Sequence, residues 1–198
     1  MNKGGEYRKW YGNLFEVVDW KNNAKRLRDF PTAQIKNEDF YFLPAITWSS
    51  ITSGKLSFRY TGNGFIFDQA SNGVFPPEEQ YFYYIGLLNS KIIRSILSAI
   101  NPTYNILVGD IAKIPIIFLQ EPLMSLNNIV KKLINLSKID WDSFETSWDF
   151  TRHPLVRGVG TVAEAFAAWE SECNDRFNQL KANEEELNRI FLDIYGLQ

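Results

Sequence analysis

One cysteine, one histidine and two methionines stand among 198 residues, and these scarcities remove several kinds of chemistry. A lone Cys173 has no internal partner for a disulfide, and with His153 it supplies neither a CxxC pair nor an HxxxH set for zinc. His153 has no Ser or Cys partner in a nucleophile elbow, so Arg152-His153-Pro154 reads as a loop anchor. No strand-GxGxxG-helix unit occurs, which removes the dinucleotide or methyl-donor cradle from this stretch of chain. There is no internal repeat and no low-complexity tract. No apolar run reaches the roughly 18 to 20 residues that cross a bilayer, and Met1-Asn-Lys-Gly-Gly-Glu6 lacks the apolar stretch of a signal peptide. A cytoplasmic protein is the expectation.

What is present is a folding composition: 45% hydrophobic and 15% aromatic residues exclude disorder. The length suits one substantial core, or a core with a helical appendage. The net charge of −2 conceals a gradient. Residues 1–36 carry eight Lys/Arg against four Asp/Glu, residues 37–120 five against six, and residues 121–198 eight against thirteen. That asymmetry fits one DNA-facing end and one solvated or protein-facing end.

Along the chain, Lys3 to Asn13 reads as a Gly-rich, basic, aromatic loop leading into a strand over Leu14–Trp20. Asn22 or Asn23 is a plausible N-cap for a short basic helix reaching Arg28. From Phe40 to Phe75 short β-prone runs follow: Phe40–Trp48, Leu56–Tyr60 and Phe65–Phe67, with Ser53-Gly54 and Gly62-Asn-Gly64 as turns, the latter a hairpin. Leu56, Phe58 and Tyr60 alternate with Ser57 and Arg59, so Arg59 faces away from the apolar residues, and an antiparallel sheet is predicted. Pro76-Pro77-Glu78-Glu79 opens an apolar helix that reaches Leu88-Asn89-Ser90. Helical spacing persists to Ile100, before Asn101-Pro102. Residues 102–117 then give an extended run, a Gly109-Asp110 turn and a strand from Ile114-Pro-Ile to Phe118.

Leu123, Leu126, Val130, Leu133 and Leu136 mark an amphipathic helix ending near Ile139. Trp141, Phe144, Trp148 and Phe150 anchor an aromatic-acidic connector. Beyond Gly160 the apolar residues Val162, Phe166, Trp169, Cys173, Phe177, Leu180, Leu187, Phe191 and Ile194 fit one long helix, or two helices broken at an Asn183/Glu186 capping box.

Several motifs invite chemistry. Asn101-Pro102-Thr103-Tyr104 comes close to the Asn-Pro-Pro-Tyr sequence of amino-methyltransferases, but it follows a helix and has Thr for the second Pro, so a structural role is expected. Asp140, Asp142, Glu145 and Asp149 lack the spacing of a calcium loop. The basic set Lys3, Arg8, Lys9, Lys21, Lys25, Arg26 and Arg28, interleaved with Tyr7, Trp10, Tyr11, Asn13, Asn22 and Asn23, is of a kind that holds phosphates and reads base edges. The plainer alternative is a solvated surface with Trp10 and Trp20 in the core. A second polar group, Thr47, Trp48, Ser49, Ser50, Thr52, Ser53, Lys55 and Arg59, lies at and after the 46–54 turn, where a loop can enter a groove or simply turn the chain. Exposed Trp and Tyr also suit sugar stacking.

Three stretches together resemble the PglX-type adenine-specific DNA methyltransferases of BREX phage-defence systems, in their C-terminal half, and more loosely the specificity regions of fused type II restriction-methylation enzymes. They are Lys3–Asn13; Ile46-Thr-Trp-Ser-Ser50 with Phe65–Phe67; and Leu87–Ser90 through Gly109-Asp-Ile111 to Ile114-Pro-Ile116. Trp141–Phe150, Arg152–Leu155 and Asn183–Ile190 resemble the PglX group alone.

The resemblance implies a fragment without catalytic motifs, hence no enzyme in itself. Its parent would carry the base-flipping domain upstream and use S-adenosylmethionine. The implied fold is α+β: a small, mostly antiparallel target-recognition domain over 1–120, then a helical spacer or docking region over 121–198 with the connector at 139–160. The expected partners are double-stranded DNA, the parent's methyltransferase domain and other defence-system proteins. Loops 7–13 and 47–55 would choose the sequence and the N-terminal cations would hold phosphates. A protein-interaction module working through 121–198 is the alternative.

Overall fold

The most apolar helix of the chain, Tyr81–Leu88 (α2), is the element around which the rest is arranged. Tyr81, Tyr83, Ile85, Gly86, Leu87 and Leu88 are all buried, the signature of a helix covered on every side. A computed structural model describes residues 1–51, 55–68, 70–103, 105–158 and 160–197. One side of α2 meets a three-stranded antiparallel sheet of order β2-β1-β3, formed by Ala45–Ser49 (β1), Arg59–Thr61 (β2) and Ser71–Val74 (β3). Its other side meets Leu123–Asp142 (α5) and the end of Val162–Ile194 (α6). Gly86 permits that approach: a Cβ there would stand 2.9 Å from Val130 Cγ2. The fold is α+β, and one apolar core runs through Ile46, Ile85, Leu126, Leu187 and Phe191, on both sides of residue 120.

The helix entered at Pro77 is broken once. A 3-10 turn at Glu78–Gln80 leads into α2, and Lys91–Ile100 (α3) starts afresh. Ser90 caps α3 by accepting from Ile93 N at 3.3 Å. Asn89 turns its amide onto the sheet, accepting from Phe58 N and donating to Phe58 O, both at 3.0 Å, and so fills a missing strand rung.

Several elements differ from the sequence expectation, each for a physical reason. Leu14–Trp20 pairs with no strand: Phe15 is exposed and meets Trp141 edge-on, and Val17 is exposed. Of Phe65–Phe67 only Phe67 forms a bridge, to Asn2. The Gly62–Gly64 turn is no hairpin, because β2 and β3 both pair with β1; the chain leaving it bonds to Phe42 instead. The β3 strand escaped notice because Ser71-Asn-Gly73 reads as a turn. Ile114–Phe118 is not a strand: Pro115 lacks an N–H, and the carbonyls of Pro115 and Ile117 are taken by the hydroxyls of Tyr195 and Tyr83. Gly109-Asp110 sits in a one-turn helix, Val108–Ile111 (α4), where the Asp110 carboxylate accepts from Leu107 N at 3.0 Å.

Asn22 and Asn23 cap nothing. With Ala24 they adopt left-handed backbone (φ 52°, 56° and 57°) inside Lys21–Arg28 (α1), a conformation Asn tolerates better than most residues. The last segment is one helix of 33 residues, with Asn183 inside it. Its capping box is at the start, where Thr161 and Glu164 exchange hydrogen bonds of 3.2 and 2.9 Å. No helix among the described residues is long and apolar enough to cross a membrane.

Candidate nucleic-acid interface

The N-terminal arm, residues 2–11, is folded onto the body, and most of its cations already face carboxylates. Trp10 completes a ladder, its N–H bonding Phe58 O at 3.0 Å and its carbonyl accepting from Tyr60 N at 2.8 Å; its indole is buried and donates to Glu184 at 2.7 Å. Lys9 meets the same Glu184 oxygen at 2.7 Å. Arg8 pairs with Asp140 at 3.2 Å and lies over the Trp141 ring. Lys3 reaches Glu16 at 3.8 Å, Arg26 reaches Asp19 at 3.3 Å, and Arg28 grips Glu38 through two nitrogens. Asn13 is buried and donates to Glu6 O. Tyr11 is half-buried under the Lys138 ammonium, and burial raises its pKa. Tyr7 is exposed, as are Lys21, Asn22, Asn23 and Lys25; neither Lys21 nor Lys25 has a carboxylate within ion-pair distance among the described residues.

Thr47, Ser49, Ser50 and Arg59 of the second group are not at the surface. Thr47 opposes Arg59, and Ser49 opposes Ser71, on the face of the sheet away from α2. The arm covers that face. Asn2 donates to Thr47 and Thr61 hydroxyls at 2.7 and 2.9 Å, and Gly5 exchanges two hydrogen bonds with Ser49 Oγ. Gly4 lies so close that a Cβ would fall 2.7 Å from Ala70 O. Arg59, 1% exposed, has among the described residues a single 3.4 Å bond to Ser49 Oγ, and burial lowers its pKa to about 10, still well above neutrality. Arg59 did alternate away from the apolar residues, but onto a covered polar face. Ser50 accepts from Asn72. Thr52 and Ser53 lie outside the described residues, and Lys55 is exposed.

Besides Lys21 and Lys25, accessible positive charge stands beside α3. Lys55 and Arg94 line a cavity of about 390 Å³ between residues 55–58 and α3, with Leu56, Phe58, Leu97 and Ile106 as its apolar wall. No carboxylate lines it. Neither Lys55, Lys91 nor Arg94 has an acidic partner within ion-pair distance among the described residues. Lys9, largely buried against Glu184, feels this charge: its pKa is lowered first by burial and further by Arg94 and Lys91, against the pull of that carboxylate. Lys91 and Arg94 were missed from sequence because their spacing reads as the polar side of an amphipathic helix. A usable signal exists: from Gln80 to Gly109 there is no Asp or Glu.

Asn101, at the rim of this cavity, is occupied structurally. Its amide donates to Asp110 at 2.8 Å and Asn105 O at 3.0 Å, and its oxygen accepts from Thr103. The hydrogen bonds from Asn101 and, after it, from Leu107 N hold the Asp110 carboxyl below the usual range. The Asn-Pro-Thr stretch thus builds a loop. Of the connector, Trp141 is buried and Phe144 packs edge-on against Trp169 and His153, while Lys138 bridges Asp142 and Asp149, which together outweigh burial and raise its pKa. Among the described residues no group of His, Cys, Asp and Glu is arranged to hold a metal.

Fold and surface together define an α+β module with an internally neutralised arm and an open, carboxylate-free cavity bearing cations. No family model matches the sequence. The chain is similar over its whole length to one region of two larger proteins. It is 41% identical, over all of its length, to 17% of the adenine-specific methyltransferase PglX of Lacticaseibacillus casei (strain Zhang). It is 35% identical, over 99% of its length, to 16% of the adenine-specific methyltransferase BrxX of Escherichia coli O9:H4 (strain HS). The chain thus spans about a sixth of the curated relatives it matches, and aligns with one region of the adenine-specific methyltransferases PglX and BrxX.

Proposed function

We propose that this chain is the DNA target-recognition module of an adenine-N6 methyltransferase of the BREX phage-defence type. In this reading it binds a short duplex sequence and positions a separate catalytic domain, which uses S-adenosylmethionine, over the adenine. The observation that carries the reading is the cavity lined by Lys55 and Arg94, which, like Lys91 three residues before Arg94 on α3, stand without acidic partners among the described residues. Uncompensated cations displace counterions from DNA, whereas those already paired must first break an internal contact. Lys21 and Lys25 extend the cationic set at α1. The whole-chain similarity to a region of adenine-specific methyltransferases supports an adenine-bearing substrate.

Exchange of this region between the L. casei and E. coli relatives tests the reading. Sequencing of methylated adenines is expected to show the recognised sequence travelling with the exchanged region; a recognised sequence that stays with the rest of the enzyme overturns it.

One observation favours a second reading. Val162, Phe166 and Phe177 on the first half of α6 are 77%, 52% and 64% exposed, and Trp148 is 64% exposed, an apolar surface suited to packing on another part of the parent or on a defence-system protein. Charge on α3 would then be incidental, and its removal would leave methylation unchanged.

A further inference from the structure

The cavity between residues 55–58 and α3 has more room and a different lining than a phosphate contact requires. About 390 Å³ lies in the range of small-ligand sites, and a lone phosphate would leave most of it unfilled. Its wall is built from Phe58, Leu88, Leu97 and Ile106, all buried, while the charges of the exposed Lys55 and half-buried Arg94 stand at its rim. An occupant that satisfies both parts is amphipathic, with a flat or compact apolar body and an anionic group.

The polar side chains around the cavity narrow the class further. Asn89 exchanges two hydrogen bonds with the Phe58 backbone, Ser90 caps α3, Ser98 Oγ donates to Arg94 O at 2.8 Å, and Asn101 is tied to Asp110 and Thr103. Among the described residues, these polar groups are thus already engaged in holding the fold. Of the two cations, Arg94 stands on a helix whose N-terminus is capped, and the exposed Lys55 stands four residues before β2.

We infer that this cavity is a binding site for one nucleoside monophosphate unit, the base against the apolar wall and the phosphate on Arg94 and Lys55, with little discrimination among bases. The inference rests on the DNA-recognition reading and deepens it. The unit is either one nucleotide withdrawn from the stack of a bound strand or a free mononucleotide, and the chemistry of the two is the same.

The test is titration of the isotopically labelled 198-residue chain, followed by NMR, with dAMP, dCMP and inorganic phosphate. In parallel, its affinity is measured for two duplexes, one fully paired and one with a single unpaired nucleotide. Both mononucleotides are expected to shift the amides of Leu56, Leu97 and Ile106 with similar affinity, and inorganic phosphate to bind at least about tenfold more weakly. Arg94→Ala is expected to weaken both mononucleotides by about tenfold or more, the range of a charged hydrogen bond, with the melting temperature checking that it folds. Arg94→Lys is expected to recover part of the loss. Tighter binding of the duplex with the unpaired nucleotide assigns the unit to a strand; equal binding of the two duplexes assigns it to a free nucleotide.

Inorganic phosphate that matches the mononucleotides, or mononucleotides that leave those amides unmoved, overturns the inference. If duplex binding persists in that case, the proposed function stands and only this site falls; if duplex binding is also absent, both fall.

Discussion

The N-terminal arm and α3 carry cations of the same kind, but they differ in what surrounds them. Residues 1–36 hold the largest positive excess of the chain, and yet Lys3, Arg8, Lys9, Arg26 and Arg28 are matched to Glu16, Asp140, Glu184, Asp19 and Glu38. Arg8 and Lys9 reach across more than a hundred residues to partners on α5 and α6, so the arm and the long helices neutralise one another. By contrast α3 contributes only Lys91 and Arg94, and neither is matched among the described residues. Charge counted along a sequence therefore does not say which cations folding leaves unpaired: of residues 1–36, Lys21 and Lys25 stay exposed and unmatched among the described residues while Arg8 and Lys9 do not. What a ligand meets is the charge left over after folding.

The largest effect that sharpens this contrast is on stability. Glu184 holds both the buried Trp10 indole N–H and the largely buried Lys9 ammonium. Its removal in Glu184→Ala leaves two buried donors unpaired, and a loss of about 2 to 4 kcal/mol is expected in denaturant unfolding. A loss below about 0.5 kcal/mol would mean that the arm is not clamped. Next in size, alkaline pH acts on the tyrosines of α2. Burial pushes Tyr83 up to about 12 and raises Tyr81 as well. Because the folded pKa lies above the unfolded value of 10, the contribution is complete below pH 10 and disappears as pH rises toward 12. Tyr83→Phe is expected to flatten a stability profile taken across that window, and an unchanged profile would place the titration elsewhere.

Binding supplies the intermediate effect: charge reversal at Arg94 is expected to weaken duplex affinity about tenfold at low salt, and reversal at Arg28 by less than about twofold, as read by fluorescence anisotropy. Equal losses would erase the distinction between the two regions. The smallest effect is expected at Arg59. A buried guanidinium without a carboxylate gains little from its charge, so Arg59→Met is expected to lie within about 1 kcal/mol of the parent chain and to leave DNA affinity unchanged. A large loss of affinity would show that the arm lifts to expose the polar face.

Much of the architecture was legible where pattern and chemistry agreed. The α5 periodicity from Leu123 to Leu133 and the apolar run of α2 both appear as helices, and the Phe40–Phe75 region does hold an antiparallel sheet. The failures share a cause. Leu14–Trp20 and Ile114–Phe118 have strand composition, but a strand exists only if a neighbour offers its backbone; here Tyr83 and Tyr195 hydroxyls occupy the carbonyls of the second run. Local spacing also missed tertiary cover. Thr47, Ser49 and Arg59 looked like a polar surface, because nothing within a few residues shows that Asn2 to Gly5 will lie across them. For the candidate site, Lys55 was visible from its turn, whereas Arg94 emerges only when the absence of acid from Gln80 to Gly109 is joined to the cavity it lines.

The salt dependence of duplex binding tests the central claim most directly, measured for the 198-residue chain and two double variants, Lys55→Gln with Arg94→Gln and Arg26→Gln with Arg28→Gln. Each lost phosphate contact lowers the slope of log affinity against log salt by about 0.9. The account expects the first pair to lower the slope by about two contacts and the second to leave it unchanged; absence of duplex binding at low salt, or a slope that falls only with the second pair, would contradict it.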